Sequence, residues 1–267
     1  MTVHPVAFRP FDLSATPAVP FGRLVSVETR KMADTRAGRW LLIGIGLITA
    51  AILGVMLVVA VAKDLSLGFR DFLTAVSIPM GILLPVLGVL SVTQEFGQRT
   101  ALTTFTQVPS RMRVLRAKFA AALGLATAGT VLGMVLAAAA YGGYALLSDL
   151  GTGFNAGPGD LGRFLLVQAL GLVGGLAFGA LLLNSAAAIV VLFSVTFVLT
   201  GLFELGAQTI GWFGDLRPWI DFQAAQGPLV DGGVSATEWS HLLVSSLPWL
   251  VVPLLVGLRR ILRAEVK

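Results

Sequence analysis

The chain has 267 residues, 56% of them hydrophobic and only 12% charged, with a mean hydropathy of +0.87. Soluble domains carry about 25% charged residues, so this composition excludes a water-facing exterior and most of the outside must meet lipid. The chain has no cysteine, which excludes disulfides, thiolate metal sites and thiol nucleophiles.

The first twenty residues hold Pro5, Pro10, Pro17 and Pro20 and no apolar core. They read as a flexible arm and not as a signal peptide. Residues 21–267 read as a single transmembrane domain. Phe21–Arg39 is expected to be a helix lying on the inner membrane surface. Phe21, Val25 and Met32 form its apolar stripe, and Arg23, Arg30, Lys31 and Arg36 meet anionic headgroups. The alternative is a basic flank with no defined helix.

Six apolar runs follow: Trp40–Ala62, Phe72–Val92, Lys118–Leu147, Phe164–Leu183, Ala186–Leu205 and Leu242–Leu258. Each approaches or exceeds the ~20 residues that cross a ~30 Å hydrocarbon core. Helices satisfy every backbone polar group within one segment, and the alternation of a membrane barrel is absent. The expected fold is therefore all-α, with six transmembrane helices. Pro79 and Pro85 in the second run, and Pro248 and Pro253 in the sixth, should kink their helices.

Between the second and third runs lies a polar island, Ser91–Ala122. Phe96, Ala101, Leu102 and Phe105 make a short amphipathic stretch, and Pro109 ends it. Such a face beneath a membrane suits a groove on a cytosolic partner. Ser110 is placed as the N-cap of the third helix. From there to Leu147 is about 57 Å of helix, so its basic start (Arg111, Arg113, Arg116, Lys118) should project into the cytoplasm.

Gly171, Gly175 and Gly179 form a small-residue ridge on the fourth span, and Gly129 and Gly133 a shorter one on the third. They serve packing within one chain or a seam between two. Asn184 and Ser185 form a tight turn. Gly206–His241 is half apolar and is expected to hold short half-inserted helices at the outer surface.

With the N-terminus inside, all 19 lysines and arginines except Lys63, Arg70, Arg163 and Arg217 lie on the inner side. This bias places both termini in the cytoplasm and the chain in the cell membrane. The net charge of +5 thus marks orientation and not a nucleic-acid surface. The outer acids, Asp160 and Asp221 among them, read as solvated surface charge. Glu204 is the one carboxylate within a run. It is a candidate for the transport pathway or a group that reaches water at the outer end. Gln168, Tyr141 and Tyr144 are candidate lining groups or interhelical hydrogen-bonders.

Enzyme signatures are missing. There is no G-x-x-x-x-G-K-[ST], H-E-x-x-H or G-x-S-x-G. Gly44-Ile45-Gly46 lacks the third glycine and the strand of a dinucleotide fingerprint.

The run Glu95-Phe96-Gly97-Gln98-Arg99-Thr100, then Pro109-Ser110-Arg111 and Lys118, resembles the signature between the second and third spans of exporter-type ABC permeases. That superfamily includes daunorubicin, sodium and O-antigen export permeases. Glu28-Thr29-Arg30-Lys31 is similar to its N-terminal interfacial helix. Gln98 departs from the pattern, and the importer signature is absent. The resemblance implies a dimer, with a second copy or a paralogous permease, driven by a cytosolic dimer of ATPase subunits that bind ATP and Mg²⁺. This chain would itself hold no cofactor. Glu95, Phe96, Arg99, Thr100, Leu102, Phe105 and Arg111 would form the coupling site, with Glu28, Arg30 and Lys31 in the interfacial helix. Glu95 has the alternative of capping a helix end, and the basic cluster is first a topology determinant. The apolar spans suit a lipophilic or amphipathic substrate such as a drug, peptide or lipid. A non-transporting scaffold or receptor subunit that recruits a cytosolic partner is the alternative function.

Overall fold

The computed structural model describes residues 19–98, 110–149 and 153–263. Six helical segments are long and apolar enough to cross a membrane, and there is no strand among the described residues. A short helix α1 (Phe21–Asp34) precedes α2 (Arg36–Ala62), α3 (Phe69–Gly97), α4 (Arg111–Leu147) and α5 (Pro158–Leu182). The fifth segment is α6 (Ser185–Phe193), a wide π-helical stretch (Ser194–Leu199) and α7 (Thr200–Thr209). Two short helices follow, α8 (Gly211–Ile220) and α9 (Phe222–Asp231). The sixth segment is α10 (Ala236–Ser246), a second π stretch (Leu247–Val251) and α11 (Val252–Arg263).

The expected helix over Phe21–Arg39 is divided. Thr35 leaves helical geometry and caps α2, its Oγ1 accepting from the Gly38 N–H at 3.2 Å. Arg36 and Arg39 therefore belong to the first turns of the first long helix. The stripe that α1 buries is Leu24, Glu28 and Met32, one face at i, i+4 spacing. Phe21, expected on that face, is exposed. The long third helix begins where expected, but the Ser110 side chain makes no capping bond. At the turn after α5, Leu183 takes a left-handed conformation (φ 53°). Asn184 then caps α6 through its side chain, which accepts from the Ala187 N–H at 3.0 Å.

The centre of the bundle is α3 against α5. Close approach there depends on glycine. A Cβ at Gly175 would overlap the Pro85 carbonyl oxygen, and one at Gly88 would overlap the Leu172 carbonyl. The ridge on α5 is thus consumed by packing within the chain, whereas a Cβ at Gly129 on α4 would meet nothing. The main core runs through Phe72, Val76, Met80, Leu84, Leu87, Leu172 and Leu176. Helix α1 packs on α4 and α2, and the sixth segment packs on α5.

Candidate functional site

At the end of the bundle that carries α1, four charged side chains from three helices meet. Lys31 Nζ lies 2.7 Å from Glu28 Oε1 and 2.8 Å from Glu95 Oε1. Lys118 Nζ bonds Glu28 Oε2 and lies 3.5 Å from Glu95 Oε1. Glu28 and Lys118 are each 4% exposed and Glu95 8%. Two acids and two bases compensate one another, which is the condition on which charges are buried at all. Burial acts to lower the Lys31 pKa. The carboxylates of Glu28 and Glu95 outweigh it, so the ammonium titrates above its ordinary 10.5.

This cluster joins α1 to the end of α3 and the start of α4. The segment between those two helices leaves from Gln98 and returns at Ser110. Arg111 adds a fourth tie: one guanidinium nitrogen donates to the Ile261 carbonyl at 3.1 Å and the Leu262 carbonyl at 3.3 Å, near the end of α11. Carbonyls at a helix C-terminus carry partial negative charge that favours a cation. Phe96 packs against the main core, and Arg30 is exposed. Arg99, Thr100, Leu102 and Phe105 lie outside the described residues. Sequence reasoning had named Glu28, Lys31, Glu95 and Lys118 separately, and the structure brings them together.

A second feature lies within the spans. A cavity of about 160 Å³ opens between α3, α5, the two π stretches and the α8–α9 turn. Pro85, Gln168, Thr196, Asp221 and Trp249 each bring a different element to its wall. Proline lacks an N–H, so Pro85 deprives the Gly81 carbonyl of its helical partner, and both residues line the cavity. Pro248 likewise brings no N–H to the second π stretch, where the Val244 carbonyl accepts from the Leu247 N–H instead. Trp249 beside it donates from Nε1 to the Ile220 carbonyl at 2.7 Å. Wide π turns recur at functional sites, and here two of them face one cavity.

Asp221 is only 2% exposed, which corrects its reading as a solvated outer charge. Its Oδ1 accepts from Thr200 Oγ1 at 3.1 Å and from the Gln223 and Ala224 N–H groups at 3.0 and 3.2 Å. Its Oδ2 accepts from Arg217 Nε at 3.1 Å. Asp160 is likewise engaged, paired with Arg70 and Arg163. Arg217 also pairs with Glu204, whose other oxygen accepts from Gln208 at 2.8 Å. Glu204 thus ties α7 to α8. Gln168 lines the cavity. Tyr141 is elsewhere, packed among Phe69, Phe72, Tyr144 and Phe154, and Tyr144 Oη donates to the Leu65 carbonyl. Asp221, Arg217 and Trp249 had no signal in the sequence beyond an acid before an apolar run and an aromatic beside a proline.

Among the described residues no group of three or more His, Asp or Glu side chains is placed to hold a metal. No family model matches the chain, and no curated protein matches it.

Proposed function

We propose that this chain is the permease subunit of an ATP-driven exporter, worked by a separate cytosolic ATPase. The observation that carries the reading is the buried ion cluster at the root of the segment between α3 and α4. On this reading the segment is the coupling helix, docked in a cleft of the ATPase. A push on it reaches Glu95 on one side and Arg111 and Lys118 on the other. The cluster passes that push to α1 and two spans as one unit. The chain itself performs no catalysis, and ATP and Mg²⁺ sit on the partner. Switching a balanced two-state permease from 1:99 to 99:1 needs ~5.5 kcal/mol of differential binding, which a nucleotide cycle can supply.

The rest of the assignment follows from the same reading. Helix α1 lies on the inner surface of the cell membrane, both termini are cytoplasmic, and α8 and α9 sit half-inserted at the outer surface. A second permease, identical or paralogous, completes the pore. The cavity favours transport over a scaffold role, because a scaffold has no use for a wet-sized opening between its spans.

The test is to co-purify the chain with the ATPase encoded beside it and to reconstitute the complex in vesicles. Arg99→Ala and Glu95→Ala should each lower stimulated ATP hydrolysis and uncouple it from substrate accumulation. A complex that stays fully coupled with both changes would remove the coupling assignment. Vesicles that hydrolyse ATP yet accumulate no compound would point to the scaffold instead.

A further inference from the structure

Gln168 is 2% exposed and its Nε2 has no hydrogen-bond partner. A buried amide left unpaired is costly and calls for a specific reason. The other buried polar side chains on the same wall are already satisfied. Asp221 accepts four hydrogen bonds, and Gln226 donates to Gln223 Oε1 and the Phe222 carbonyl. The Trp249 N–H is also spent. Gln168 alone among these retains an unmet donor.

We infer that this cavity binds an uncharged lipophilic group, about one aromatic ring in size, carrying a hydrogen-bond acceptor such as a carbonyl or ether oxygen. The acceptor takes the amide proton of Gln168. Size suits one ring: an enclosed apolar cavity of about 150 Å³ takes benzene, and this one, which is partly open, is about 160 Å³. Among the described residues Asp221 is the only charged one on the wall, and it is already paired with Arg217. No described Lys, Arg or His lines the cavity, so an anion finds no counter-ion there and a neutral group suits the mostly apolar wall. Phe178, Phe203 and Phe222 supply the apolar surface. Rotation about the last side-chain bond of Gln168 is soft, so the amide can turn toward its ligand without moving α5. Naming the occupant as cargo rests on the exporter reading; its binding does not.

The experiment uses the full chain in phosphatidylcholine nanodiscs without nucleotide or ATPase. The probe is trifluoromethyl-phenyldiazirine, a neutral one-ring photolabel, mapped by peptide mass spectrometry. Labelling of the peptides that carry Gln168 and Thr196 should saturate. Acetophenone should displace it at about tenfold lower concentration than α-methylstyrene, which has the same planar outline and no acceptor. Gln168→Leu should make the two competitors equal while labelling persists, and Thr196→Phe should remove the saturable component. Labelling that rises linearly with probe, or equal potency of the two competitors in the unaltered chain, would overturn the inference. Failure of the vesicle assay leaves this result standing, and the reverse is equally true.

Discussion

Lys118 and Glu28 stand ninety residues apart in the chain and form an ion pair whose side chains are each 5% exposed. The pair pins α1 to the start of α4. Neither group has water to fall back on, so each is compensated only within the cluster, Glu28 by Lys118 and Lys31, and Lys118 by Glu28 and Glu95.

Removing one partner is therefore the severe change. Lys118→Met leaves Glu28 and Glu95 with Lys31 alone, and breaking a buried pair this way costs about 3–5 kcal/mol. The Lys118→Met, Glu28→Leu double variant should recover much of the loss. Thermal unfolding in detergent reads both, and a double variant no more stable than the single would contradict the pairing.

Lys31 gives the cluster a defined pH window. Its pKa in the folded chain lies above 10.5, so its contribution is complete below that value and is lost as pH rises through the higher folded one. Hydrogen exchange in Phe21–Asp34, corrected for intrinsic rate, should keep constant protection from neutrality up to 10.5 and lose it above. Lys31→Met should abolish that alkaline step. A step near neutrality would mean that some other group controls the docking of α1.

Gly175 and Gly129, one from each ridge, should respond in opposite ways. Gly175→Ala drives a methyl into the Pro85 carbonyl and should separate α3 from α5, with a clear fall in thermal midpoint. Gly129→Ala meets open space and should be neutral or stabilising by up to about 1 kcal/mol, the helix-propensity difference. A Gly129→Ala chain that folds normally but no longer self-associates would place Gly129 at a subunit seam, while Gly133 on the same ridge packs on Met80 and Val76 within the chain.

Glu204 and Arg217 separate a structural tie from a transport role. The Glu204 side chain is 46% exposed, so Glu204→Gln should change stability by less than about 1 kcal/mol. Arg217→Leu removes two partners at once, one of them the buried Asp221, and should cost more, about 1–3 kcal/mol. If Glu204→Gln abolishes transport while the thermal midpoint holds, the carboxylate acts on cargo and not on α8.

The spans were legible because apolar run length and the lipid core are matched quantities. The buried face of α1 was not. Glu28 falls on the same line as Leu24 and Met32, and a carboxylate on a helix face reads as solvent-exposed until its partners are known. Those partners, Glu95 and Lys118, come from helices that no local pattern links to α1. Pro248 signalled trouble in the sixth segment, whereas Ser194–Leu199 contains no proline and its π geometry left no trace in composition. Asp221 was misjudged for the reason that governs Glu28: charge patterning reports the side of a membrane, not whether a group is enclosed.

The wide turns in the fifth and sixth segments hold one residue more than an ordinary helical turn requires. Each is a place where the chain can lose a residue and remain helical. Such a deletion would turn the wide stretch into ordinary helix and leave what lies beyond it close to its present bearing. Shortening at Ser194–Leu199 should leave Phe203 and Glu204 facing as they do, and shortening at Leu247–Val251 should keep Gly257 against Ala180, whereas the same deletion in a regular stretch would turn the rest of the helix by about 100°. The same mechanics make these two stretches natural pivots, at which a helix can re-register without melting.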